Sequence, residues 1–135
     1  GGDDPDERKP LWWKEFDFDD ETRTNIQPGT KSFDRVGFNQ DHFDYYRKLI
    51  RMRKENPVLI HGKLDWLAAD GNFLAYKRYD NNSLIVAAFN IGSGTGQLEL
   101  PFDGIWIDLL NGAEYRGSSI NAMPLQTFIL KLKKK

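Results

Sequence analysis

The side chains best suited to grip a hydroxyl-rich ligand stand at the start of the sequence. Asp4 and Arg8 lie four residues apart in Gly1-Gly2-Asp3-Asp4-Pro5-Asp6-Glu7-Arg8. A carboxylate accepts hydrogen bonds and a guanidinium donates them, so the two on one stiff loop form a clamp for hydroxyl groups. The glycines allow close backbone approach, and Asp4-Pro5 reads as an extended or turn dipeptide. By their chemistry alone these residues describe a solvated loop better than a site. Other candidates are weaker. His42 and His61 have no cluster partner, so His42 at a helix start reads as solvated and no metal site is expected. Asp17-Phe18-Asp19-Asp20-Glu21 lacks the ligand spacing and fixed glycine of a calcium loop. Asn81-Asn82-Ser83 satisfies the glycosylation pattern, yet a two-Asn hairpin accounts for it fully.

The opening loop runs on into Lys9-Pro10-Leu11-Trp12-Trp13. That run, GGxDPDxRKPxxW, resembles the segment after the eighth barrel strand in the α-amylase superfamily of glycoside hydrolases, most of all the neopullulanase, cyclomaltodextrinase and α-glucosidase branch. Two later blocks follow in the same order. Residues 44–59, DYYRKLIRMRKENPVL, are similar to the family's last barrel helix and its proline-bounded exit, and Gly62 follows as the family's glycine does. Leu74 to Arg78 and Leu84 to Asn90 resemble paired strands of the family's C-terminal β domain. The likeness implies that Asp4 and Arg8 contact a glucose unit away from the cut bond, and that Trp13 packs the loop onto the barrel; Trp12 is left between stacking on sugar and packing. It also implies that the three catalytic acids belong to the ends of the fourth, fifth and seventh barrel strands, before Gly1. The chain departs from the family pattern between Ile120 and Thr127, which lacks the common glycine-containing approach to the last strand.

Length sets what such a chain can do. A whole (β/α)8 barrel needs about 250 residues, and this chain has 135. A retaining glycosidase needs two carboxyl groups about 5–5.5 Å apart, and no recognisable scaffold here offers them. The expectation is the tail of a larger enzyme, inactive by itself and without catalytic residues or cofactors of its own. Charged residues at 29 % and a formal net charge of −1 create no long-range field to select nucleic acid or anionic lipid. No apolar run approaches the roughly 18 residues of a membrane span, and Lys133-Lys134-Lys135 reads as a fraying terminus. With no cysteine, disulfides, thiol nucleophiles and cysteine-ligated zinc are excluded. The compartment stays open between bacterial cytoplasm and export.

The elements that must position these groups fall into three stretches. Residues 1–39 read as a long irregular loop, rich in Gly, Pro, Asp, Asn and Thr. One helix is expected from Gln40 to Glu55, capped by Asn39 and stopped by Pro57. Its apolar arc, Phe43, Tyr45, Tyr46, Leu49, Ile50 and Met52, covers about half the wheel, wider than the ~100° stripe that one contact surface needs. Two neighbours are therefore expected, a barrel on one side and a β domain on the other. Arg53 lies inside the arc, which calls for a carboxylate partner or a snorkelling stem. From Leu64 to Leu132 short strands alternate with turns at Asp70-Gly71-Asn72, Asp80-Asn81-Asn82 and Gly92 to Gly96. This spacing predicts a mainly β fold, an antiparallel sandwich with a Greek-key-like return. Leu84 to Phe89 is its central strand, and Trp66, Trp106, Phe89 and Phe128 form its core at about 1.5–3 kcal/mol each.

The expected division is residues 1–57, the tail of a catalytic barrel, and 58–135, a C-terminal β domain. The expected function is the carboxy-terminal part of an α-glucan hydrolase or transglycosylase, with the missing barrel and the α-glucan as partners and no glycan affinity in the chain alone. The alternative is a non-catalytic carbohydrate-binding or structural β module, with residues 1–55 as linker and docking helix and with measurable affinity for maltooligosaccharides.

Overall fold

The computed structural model describes residues 13–16, 21–22, 33–34, 36–69, 71 and 73–133. The chain divides into two compact units, residues 1–47 and 48–135. In the first, β1 (Glu21–Thr22) pairs antiparallel with β2 (Phe33–Asp34), a two-residue ribbon inside the stretch read as loop. The helix α1 (Gln40–Glu55) occupies the bounds expected of it and runs from the first unit into the second. Asn39 caps it: the side-chain Oδ1 accepts the His42 N–H at 2.9 Å, and the Asn39 carbonyl receives the first intrahelical bond from Phe43 at 3.0 Å. Asp41 in the first turn and Arg53 and Lys54 in the last complement the helix dipole.

Pro57 does not send the chain directly into a strand. It takes helical angles and opens a single further turn, α2 (Val58–His61), before Gly62 leaves in an extended conformation. Proline is tolerated at such a start because the N–H it lacks would have no partner there. Arg53 is explained by this turn: its Nη1 donates to the Leu59 carbonyl at 2.9 Å, in place of the carboxylate or snorkelling stem expected for it.

The second unit is built on six antiparallel strands: β3 (Lys63–Ala69), β4 (Phe73–Tyr79), β5 (Leu84–Asn90), β6 (Gly96–Asp108), β7 (Glu114–Ala122) and β8 (Thr127–Leu132). Their order is β3-β4-β5-β8-β6-β7, so the last strand returns to the middle, as a Greek-key-like chain does. The sheet is hydrogen-bonded throughout, and its two halves face each other across one core, with β3 approaching β6. The inner face carries Phe73, Ala75, Leu84, Val86, Ala88, Phe128 and Leu130 from one half and Leu98, Leu100, Trp106, Ile120 and Ala122 from the other. Trp106 and Phe128 are buried as expected.

The outer face explains the central strand. Residues paired across neighbouring strands share a face, which places Leu64 and Trp66, then Leu74, Tyr76 and Arg78, then Ile85, Ala87 and Phe89, then Ile129 and Lys131 on the side away from that core. The turn α2 lies against β4 and β5, and Ile85 and Ala87 on this side are buried too. The cover stops short of β3. Trp66, expected in the core, is instead 61 % exposed, its ring edge-on to Tyr76 at 5.7 Å. Phe89 is half-buried. The register shift between Trp66 and Ala68 moves Leu67 and Ala68 toward the core while Trp66 stays outside.

The sequence reads as two strands around 97–100 and 105–109, but these are one long β6. Pro101 has no N–H to give to the ladder, and the β6–β7 register breaks between Glu99 and Gly104, extruding Phe102. Three buried polar residues hold the loops. Asn90 donates its side-chain amide to the carbonyls of Gly94, Ala122 and Met123 at 2.9, 3.1 and 2.9 Å, pinning the crossover. Asp108 accepts from Leu110 and Ile129 N–H groups at 3.0 and 3.2 Å. Asn56 joins the helices to the sheet: its Nδ2 donates to the Met52 carbonyl at 2.8 Å, and its Oδ1 accepts from Lys131 Nζ at 2.8 Å.

Candidate functional site

Asp4 and Arg8, the proposed sugar clamp, lie outside the described residues, as do Trp12 and residues 17–20 of the acidic run. What the first unit does show is how the loop's aromatic end is fixed. Trp13 meets the Phe43 ring edge-on at 6.2 Å, Phe38 lies 5.2 Å from the same ring, and the Arg47 guanidinium sits 5.6 Å from its centroid. Trp13 therefore packs on the first turn of α1, an anchoring contact. His42 is exposed, its ring tilted against Tyr46 at 5.0 Å, while His61 is exposed at the end of α2. Among the described residues no three His, Asp or Glu side chains gather as a metal site, and no helix is long and apolar enough to cross a membrane.

In the second unit several large apolar side chains are left exposed. Met52 is the buried residue of α1, and Leu49 is half-buried, while Ile50 is 52 % exposed. Ile60 of α2 and Leu64, Trp66 and Leu74 of the outer sheet face are also exposed. Beside Leu64 in register stands Arg78, whose Nε is buried with no hydrogen-bond acceptor among the described residues. A buried guanidinium N–H without an acceptor loses its hydration without compensation. Exposed Leu64 and Trp66 with an arginine beside them have the composition of a contact surface rather than of a solvated one. The sequence pattern signals this only through the wide arc of α1; Arg78 and Asn56 carry no local signature.

On the inner side, near the end of β4, Lys77 Nζ lies 3.2 Å from Asp65 and 4.8 Å from the Tyr79 ring. The Tyr79 phenol is held above its ordinary value by hydrogen bonding to the Asp65 carboxylate, with desolvation and the carboxylate charge adding to the rise and Lys77 opposing it.

No family model matches the chain. A cyclomaltodextrinase of Geobacillus thermopakistaniensis is 28 % identical over 120 residues, which cover 85 % of this chain and 17 % of that protein. The trehalulose synthase MutB from Pseudomonas mesoacidophila aligns in structure with a TM-score of 0.58 at 27 % identity, over 67 % of this chain and 18 % of that one. AmyP in complex with maltotriose aligns with a TM-score of 0.62 at 19 % identity, over 73 % of this chain and 22 % of that one, a likeness of fold. Over part of their length, these likenesses in sequence and fold set the chain beside enzymes of the α-amylase superfamily. The six-stranded antiparallel unit matches the C-terminal β domain of α-amylase family enzymes. The chain spans about a fifth of the length of these relatives, between 17 % and 22 %.

Proposed function

We propose that this chain is the carboxy-terminal part of a retaining α-glucan glycoside hydrolase, residues 1–57 completing its (β/α)8 barrel and 58–135 forming its C-terminal β domain. The observations that carry this reading are the exposed apolar side chains of Leu64 and Trp66 beside Arg78 on the outer sheet face, and of Ile50 on α1, which fit a neighbouring protein body better than water. A free-standing module would leave them bare. The relative's name, cyclomaltodextrinase, supports an α-linked glucan as the substrate class. In this reading the barrel supplies the catalytic acids, and the chain alone does not hydrolyse glucans. Asp4 and Arg8 position a glucose unit away from the cut bond, which lowers the barrier by keeping the reacting bond in register. A charged hydrogen bond of this kind is worth roughly 1.5–3 kcal/mol. In the intact enzyme Arg8→Ala is therefore expected to lower kcat/KM on long maltooligosaccharides by about ten- to a hundredfold, with much less change on the shortest substrates. Equal losses on long and short substrates would remove Arg8 from the clamp.

A further inference from the structure

A groove follows the turn between β4 and β5. It consists of two adjoining hollows of about 400 Å³ each that share Asn82, Ser83 and Leu132 as a common wall. The first opens between Tyr79 and Phe102, and the second runs toward Lys131 and Lys133. The turn is held in place: Asp80 Oδ1 accepts the N–H groups of Asn82 and Ser83 at 2.7 Å each, and the Asp80 N–H donates to the Ser83 carbonyl at 3.0 Å. Opposite it, Phe102 is extruded where Pro101 interrupts the ladder and is 58 % exposed.

The charges on the rim are already engaged. Lys77 pairs with Asp65, Lys131 donates to Asn56, Lys133 lies 3.6 Å from Glu114, and the Asp80 carboxylate is taken up by backbone N–H groups. Such a groove has little to offer an ion. What it leaves uncommitted is the side-chain amides of Asn81 and Asn82 and the hydroxyl of Ser83, which make no hydrogen bond among the described residues, together with the ring of Phe102. Amides and a hydroxyl present donors and acceptors in equal measure, and a bare aromatic face suits the C–H face of a pyranose. Concave sites with an apolar wall and a few convergent polar groups are where small ligands bind, and the open ends of β-barrels are one such place.

We propose that this groove binds a neutral oligosaccharide, one ring lying on Phe102 and its hydroxyls bonded to Asn81, Asn82 and Ser83. The site belongs to the β unit alone and needs neither Asp4 nor Arg8. It replaces the expectation that the chain by itself has no affinity for glycans. An α-glucan as the oligosaccharide rests on the function proposed above.

The test is an NMR titration of the isotope-labelled 135-residue chain with maltoheptaose and, separately, with cellohexaose. Amides of the β4–β5 turn and of the Phe102 corner are expected to shift with maltoheptaose at millimolar concentration. Phe102→Ala is expected to weaken that response at least about tenfold, a 1.4 kcal/mol effect, and Asn82→Ala to weaken it as well. Phe102 lies outside the core, so its loss leaves the fold in place for the comparison. Silence of these amides with both sugars, or a response that survives both substitutions, overturns the groove. A response to cellohexaose alone upholds the groove and counts against the α-glucan reading, so the two can fail separately.

Discussion

Asn56 is the residue through which the helices hold the sheet, and replacing it tests that account. Its Nδ2 bonds the Met52 carbonyl and its Oδ1 receives Lys131 Nζ, both at 2.8 Å, from a buried position. A neutral hydrogen bond contributes about 0.5–1.5 kcal/mol and one to a charged group about 1.5–3. The full sum overstates Asn56→Ala for two reasons. The Met52 carbonyl keeps its backbone bond from the Asn56 N–H at 3.1 Å, and half-buried Lys131 can turn its ammonium toward water. The expected loss is therefore about 2 kcal/mol, which for a unit of this size lowers Tm by roughly 8–16 °C.

Asn56→Asp keeps the acceptor for Lys131 and gives up the amide donor, so about 1 kcal/mol or less is expected. A double-mutant cycle of Asn56→Ala with Lys131→Met should give a coupling of about 1 kcal/mol or more, since the two side chains are in direct contact. Urea unfolding measures all three, and amide exchange at Leu59 and Ile60 should quicken in Asn56→Ala as α2 loosens from the sheet. A loss under about 0.5 kcal/mol, within the range of ordinary surface changes, would refute the claim that this side chain fastens the two layers. So would a coupling near zero.

Two further outcomes follow from single positions. Leu125 is 81 % exposed with φ of 60°, a left-handed conformation costing an L side chain roughly 1–2 kcal/mol, so Leu125→Gly should raise the urea midpoint despite glycine's greater unfolded freedom; a lower midpoint would show that the leucine packs in solution. The Tyr79 phenol is held above its ordinary value by its bond to Asp65. The stability it contributes is thus whole below about pH 10, the unfolded phenol's range, and is lost as pH rises through the folded value. Asp65→Asn should bring the tyrosinate absorbance of Tyr79 in at lower pH, and an unmoved titration curve would place the hydroxyl elsewhere.

How much of this the sequence could tell depends on whether the decisive interaction is local. The α1 bounds were legible because Asn39, the 3.6-residue apolar period and Pro57 are neighbours in the chain. So was β5, whose apolar run needs no knowledge of what covers it. The small turn α2 escaped because Pro57 both stops one helix and starts another, and the local rule sees only the stop. Trp66 was misplaced because alternation in β3 says that one face is apolar but not which face meets the core. The register shift beside it and the reach of α2 decide that. The stretch from Ile120 to Thr127, which departs from the family pattern, holds Leu125 in left-handed backbone. Of the candidate site, the clamp residues came from motif likeness, while Arg78, Phe102 and Asn82 acquire meaning only once β3, β4 and β6 bring them to one face or one rim.

The extent of the exposed apolar side chains also bears on what can cover them. Ile50, Leu64 and Trp66 are each about half exposed, so completing their burial would add about 1 kcal/mol apiece, half of the usual 1.5–3 for a large apolar side chain. An acceptor for Arg78 Nε adds about another. The total, about 4 kcal/mol, falls at or below the 4–15 kcal/mol that two separate molecules lose in translational and rotational freedom on associating. A second copy of the chain or an unattached protein would therefore be held weakly. A body joined covalently to the same chain bears no such cost, because its concentration beside them is set by the connection itself. Trp106, Phe128 and the rest of the inner core are closed by the unit's own strands, so the β unit keeps its shape without that neighbour. In the function proposed above, these exposed side chains would serve attachment within one polypeptide, for which a few kilocalories suffice.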